Sequence, residues 1–156
     1  MLFVLGPLGF SGVVFMCACT KNWEHYQHTA DMGIRGFGRT RQEAFANAAL
    51  AVVALIADPA AIRKRRQVRI ACEQEDGELL LVEWLNGLLY EMAARGMLFG
   101  KFEVNIEANR LTAKAWGEKL DAKRHGPAVE VKGISYSDLK VAFDKGRWTA
   151  QCIVDI

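Results

Sequence analysis

Two aspartates and a chain terminus are the groups in this sequence with the most to offer chemically. Asp31 lies in a turn after the first expected strand, and Asp155 and Ile156 close the last one. If those strands are neighbours, two side-chain carboxylates and the terminal carboxylate of Ile156 converge. Three like charges in one place repel, so the arrangement needs a neutralising partner. A hard divalent cation bound through oxygen would serve, and Ca²⁺, Mg²⁺ or Mn²⁺ suits such a set better than zinc. On residue type alone a second reading stays open, because an Asp in a turn or beside a terminus is commonly just solvated.

Other residues have weaker claims. His28, three positions before Asp31, could orient it or add a ligand, although a lone His at a strand end is more often packed or solvent-facing. His25 and His125 have less still to recommend them. Gly33, Gly36 and Gly38 precede a helix with GxxGxG spacing, which is neither of the phosphate-loop patterns; glycines in a short strand and its turn explain it better. The run Arg63-Lys64-Arg65-Arg66, with Arg69, is the one dense basic cluster. It could meet RNA phosphates or an acidic partner, but charge guarding a solvated edge strand is the commoner use. Trp84 falls on an apolar helix stripe and Trp23 and Trp148 read as core, so no aromatic stacking platform is expected. Ser135 and Ser137 have no base fixed by sequence, and no nucleophile–base–orienter set stands out. A stand-alone metal-dependent hydrolase stays open through metal-activated water.

The elements that must position these groups follow from periodicity. Residues 22–28 and 32–38 read as short strands around a turn at Thr29-Ala30-Asp31. Thr40-Arg41-Gln42-Glu43 is a capping box, and Phe45, Ala48, Ala49, Val52 and Ile56 continue it as a helical stripe ending before Asp58-Pro59. Residues 65–75 read as a strand. Asp76-Gly77 then opens a second helix carrying Leu81, Trp84, Leu85, Leu88, Leu89 and Met92 on one face and ending at Gly96. Phe102, Val104 and Ile106 alternate with Glu103, Asn105 and Glu107, and Asn109-Arg110 turns into a strand over 111–116. Residues 129–143 and 147–155 form the last pair, with Trp148, Ala150, Cys152 and Val154 on an inward face. The order β-β-α-β-α-β-β-β-β predicts a single α+β domain: a largely antiparallel sheet with two α-helices packed on one face.

Composition narrows the class. With 156 residues, half of them apolar, the chain is long enough for one domain with a real core, and its net charge of +2 is too small for a whole-surface nucleic-acid binder. Cys17, Cys19, Cys72 and Cys152 form no CxxC pair, which points to reduced thiols and a cytoplasmic protein. Residues 1–21 form an apolar extension. It lacks the basic start of a signal peptide, and Gly6, Pro7, Gly9 and Gly12 sit badly in a membrane span. A signal or anchor and a further strand are alternatives to the reading preferred here, an upstream mis-start with Met16 as initiator.

Three blocks of the chain, in order, resemble the archease family. HTADMGIRGFGRTRQEAFANAA at 28–49 is similar to its N-terminal signature, LLLVEWLNGLLYEM at 79–92 to its central helix, and VEVKGISYSDLKV followed by GRWTAQCIVDI to its C-terminus. The resemblance covers 22–156 and departs at Gly133, where Ala is usual; Ser137 stands where His or Ser is common. It implies a metal, calcium before magnesium or manganese, held through Asp31, Asp155 and Ile156. It also implies an accessory protein rather than an enzyme: a partner of the RtcB-type RNA ligase that promotes its guanylylation and multiple turnover in tRNA splicing and RNA repair. RNA would be reached only through that ligase, with no membrane involved. An alternative role is chaperone or modulator of tRNA-modifying enzymes such as a methyltransferase.

Overall fold

The computed structural model describes residues 22–156; the apolar extension and the Met16 initiator reading lie outside the described residues. Strands β1 (Trp23–His28) and β2 (Asp31–Gly38) form a hairpin, followed by helix α1 (Arg41–Ile56), β3 (Arg66–Glu73) and helix α2 (Gly77–Arg95). The chain continues through β4 (Met97–Glu107), β5 (Arg110–Lys119), a short helix α3 (Ala122–His125), β6 (Gly133–Asp144) and β7 (Arg147–Asp155). The expected class and element order hold. Asp31 differs in being the first residue of β2 rather than part of the turn.

The strands divide into two antiparallel sheets, β1-β2-β7-β6 and β3-β5-β4. Helix α1 packs on β1, β2 and β7 of the first sheet and on β4 of the second; α2 packs on β6 and on β3, β4 and β5. The helices therefore fill the space between the sheets, and each sheet turns one face to them and one face away. This explains why their buried sets are broader than a single stripe. Ala44 and Ala51 in α1, and Leu80 and Val82 in α2, are buried in addition to the expected positions, because each helix meets apolar neighbours on two sides.

Local signals stop and start the helices as their chemistry requires. The Thr40 hydroxyl accepts from the Glu43 amide at 3.1 Å, while the Glu43 carboxylate reaches the Arg39 amide at 2.9 Å. The reciprocal half of the capping box is thus shifted one residue outward. Asp76 caps α2 by accepting from the Glu78 and Leu79 amides, and Gly96 ends it in the left-handed conformation at φ 61°. Trp84 is fully buried and donates to the Phe45 carbonyl at 3.0 Å, tying the two helices together.

Close approach accounts for the glycines of β2. A Cβ on Gly36 would lie 2.2 Å from the Ala48 nitrogen and 2.3 Å from the Ala44 oxygen, so the missing side chain is what lets α1 lie on the sheet. A Cβ on Gly33 would meet the Tyr26 ring at 2.2 Å.

Candidate functional site

Register decides what the sheet brings together at its end. Met32 pairs with Val154, so Asp31 and Asp155, the next residues of β2 and β7, stand opposite each other in the antiparallel ladder. His28 pairs with Asp31 on one side, and Gly133 pairs with Asp155 on the other. One row across all four strands therefore reads His28, Asp31, Asp155, Gly133.

Alternation fixes the face. Ile34 and Cys152 are fully buried toward the helices. Arg35 and Gln151 lie on the opposite face, where the Arg35 Nε donates to Gln151 Oε1 at 2.6 Å. Asp31 and Asp155 share parity with Arg35 and Gln151 and so belong to this outer face. Ile156 follows directly and is 36% exposed. The Asp155 carbonyl accepts from the Lys132 amide at 2.8 Å, which holds the last strand in place. Gly133 contributes no side chain to the row, and a Cβ there would meet nothing within 4 Å. The space beside Asp155 is open.

Two half-buried carboxylates face each other at this strand end, with Ile156 next in the chain, and the groups they offer are oxygen donors. That chemistry fits a hard cation in fast exchange better than a soft or redox-active one. Among the described residues no three His, Cys, Asp or Glu side chains approach closely enough to form a metal cluster. The expected set has only two such side chains, Ile156 entering through its main chain, while His28 does not join them as a third. Its Nδ1 is buried with no hydrogen-bond partner among the described residues.

A second polar cluster was not anticipated from sequence. Glu118, at the end of β5, is buried and accepts from the Arg63 amide at 2.8 Å and from His125 Nε2 at 3.0 Å; it also pairs with Arg124 and, at 3.7 Å, with Arg65. His125 Nδ1 accepts from the Asp121 amide at 2.9 Å, which leaves the proton on Nε2 to be donated to Glu118. The Arg124 guanidinium first, and then the Arg63 amide, hold the Glu118 carboxyl down at about 2 against the opposing effect of burial. The cluster pins the chain before β3 to the chain after β5. Arg63 and Arg65 lie more than fifty positions from Glu118 in sequence, whereas Arg124 and His125 follow it closely, and the one local signal was Asp121 four residues ahead of His125, a helix cap.

The two thiols among the described residues carry no comparable arrangement, and Cys17 and Cys19 lie outside the described residues. Cys72 and Cys152 are free, and burial pushes the Cys152 thiol up to about 12 and that of Cys72 to about 11. His25 is engaged with the Ala51 carbonyl at 2.7 Å. Among the described residues no helix is long and apolar enough to cross a membrane.

Comparison with known proteins places this architecture. The model of the Archease protein family (MTH1598/TM1083) matches residues 23–156. Protein archease of Pyrococcus furiosus is 45% identical over 141 residues, covering 87% of this chain and 99% of the relative. The corresponding protein of Aeropyrum pernix is 37% identical over 139 residues, covering 86% and 96%. The solution structure of Methanobacterium thermoautotrophicum protein 1598 superposes with a TM-score of 0.79 at 30% identity, covering 88% of this chain and 100% of that one. The crystal structure of a Thermotoga maritima archease, described as a possible chaperone, shares the fold at a TM-score of 0.57 and 17% identity over 91% and 98% of the two chains. On this evidence the chain belongs to the archease family.

Proposed function

We propose that this archease is a metal-binding accessory protein that promotes guanylylation and repeated turnover of an RtcB-type RNA ligase in tRNA splicing and RNA repair. The observation that carries the reading is the facing of Asp31 and Asp155 across β2 and β7, one residue from Ile156, with Gly133 leaving the space beside them open. Asp31, Asp155 and the Ile156 carboxylate are the ligands in this reading, and Ca²⁺ is the first choice of ion.

A cation held there neutralises the clustered carboxylates and presents positive charge to phosphate oxygens. The protein's own residues supply position: the β2–β7 ladder fixes the separation of the two aspartates, and the Lys132 amide fixes the Asp155 carbonyl. In this reading the tip acts on a partner's active site; turnover by the purified protein with metal and no ligase would instead favour a stand-alone metal-dependent hydrolase. Hard oxygen ligands exchange quickly, which suits an ion that is delivered or shared transiently.

The test is a ligase guanylylation assay with this protein added. Asp31→Ala and Asp155→Ala are expected to remain folded and to lose the stimulation; full stimulation by both variants rejects the assignment. The chaperone reading has the description of the Thermotoga maritima archease in its favour. It predicts stimulation of unrelated RNA-modifying enzymes, such as a tRNA methyltransferase, with both aspartates dispensable.

A further inference from the structure

The outer face of the second sheet has a composition that edge protection does not explain. Its outward residues fall into rows across β3, β5 and β4: Gln67–Trp116–Lys101, then Arg69–Lys114–Glu103, then Ala71–Thr112–Asn105. Trp116 is half-buried at the centre of the sheet, with the Lys101 ammonium 4.8 Å from its ring centroid. Arg69 and Lys114, both exposed, lie side by side in the next row. Above Trp116 the face runs into a shallow depression lined by Arg63, Arg65, Arg66, Lys119 and Arg124. Glu118 and Asp121 line the depression too, and Arg124 and Arg65 pair with Glu118, which leaves Arg63, Arg66 and Lys119 as its remaining positive groups.

Basic residues guarding the edges would sit on β3 and β4, the two outer strands of this sheet. Here the positive charge continues onto β5, the central strand, at Lys114, beside the half-buried ring of Trp116 with Lys101 against it. We propose that this face binds single-stranded nucleic acid, with a base stacked on Trp116 and phosphates held by Arg69, Lys114 and the depression above. A base on the ring would exchange with Lys101 and free its ammonium for a phosphate. Flat basic sheets with an aromatic platform accept single strands because every base has a stacking face, whereas a duplex hides its bases. Charge complementarity favours an anionic polymer. The polar neighbours Gln67, Thr112 and Asn105 favour nucleic acid over a protein partner, whose interface centre would be apolar.

The inference does not rest on the metal reading, since the aspartate row lies on the other sheet. It competes with two expectations, that RNA is reached only through a ligase and that no stacking platform exists, and the binding experiment decides between them.

The test uses the full chain and fluorescence anisotropy of a short labelled oligouridine, with the matching duplex and polyglutamate as competitors. Expected is single-strand binding that weakens with salt, with a log–log slope of about −2 to −3, as three or four phosphate contacts would give. Trp116→Ala should weaken binding about tenfold, and Trp116→Phe should hold it within about threefold. The double variant Lys114→Glu with Arg69→Glu, which alters only exposed side chains, should weaken it by at least about tenfold. Asp31→Ala should bind like the unaltered protein, which separates this inference from the proposed ligase role. Three results would each overturn it: no binding at low salt, equal binding by Trp116→Ala, or displacement by polyglutamate or duplex as readily as by oligouridine.

Discussion

Glu118 is the residue whose environment makes the firmest demand on solution behaviour. Its carboxyl is drawn from an ordinary value of 4.5 to about 2 by Arg124 and the Arg63 amide. A depressed acid stabilises the fold while it is ionised, so its contribution is complete above 4.5 and disappears as pH falls toward about 2. Glu118→Gln should therefore be less stable than the parent at neutral pH, with the gap closing through that window. Urea unfolding at several pH values measures this, and a gap that is constant with pH would contradict it. This cluster was invisible in the sequence because Arg63 reaches Glu118 only once β3 and β5 have paired, while the local Glu118–His125 contact has no motif that marks it. Asp31 and Asp155 were more legible. Each lies at a strand boundary, and antiparallel pairing of the first hairpin with the last strand was enough to bring them together.

At the scale of elements, α1 shows how closely local and tertiary signals agree. Thr40 and Glu43 set its start, and the side-chain-free positions of β2 set its distance from the sheet. Gly36→Ala forces a methyl into the α1 backbone at Ala44 and Ala48, which cannot move without disturbing the contacts on the helix's other side. The expected cost is about 1–3 kcal/mol, seen as a lower urea midpoint at unchanged slope. An unaltered midpoint would mean that α1 and β2 are less tightly apposed than described. The same glycines invite a phosphate-loop reading when only their spacing is considered. Their physical role is contact, which spacing alone does not reveal. Helix boundaries were readable from Asp76 and Gly96, whereas strand ends were missed in both directions: β4 begins at Met97 and β5 runs to Lys119, beyond what alternation indicated, while β3 stops at Glu73 and β6 begins only at Gly133.

For the whole molecule, the division into two sheets with helices between them was not readable from the strand pattern. Alternation tells which residues face inward, but the same alternation serves one sheet or two. The division matters for function because it creates two outer faces directed away from each other. One ends in the Asp31–Asp155 row; the other carries Trp116 and its basic surround. A protein so arranged can engage a partner at one face while the other is free.

The acidic row is the centre of this account, and calcium binding measures it most directly. Titration calorimetry on the chelator-stripped full chain is expected to show about one ion per chain. Asp155→Asn, and a chain extended by Gly-Ser after Ile156, should each bind at least about tenfold more weakly, because each removes one anionic oxygen donor from the set. Equal affinity and stoichiometry in all three proteins would contradict the claim that these carboxylates hold the ion.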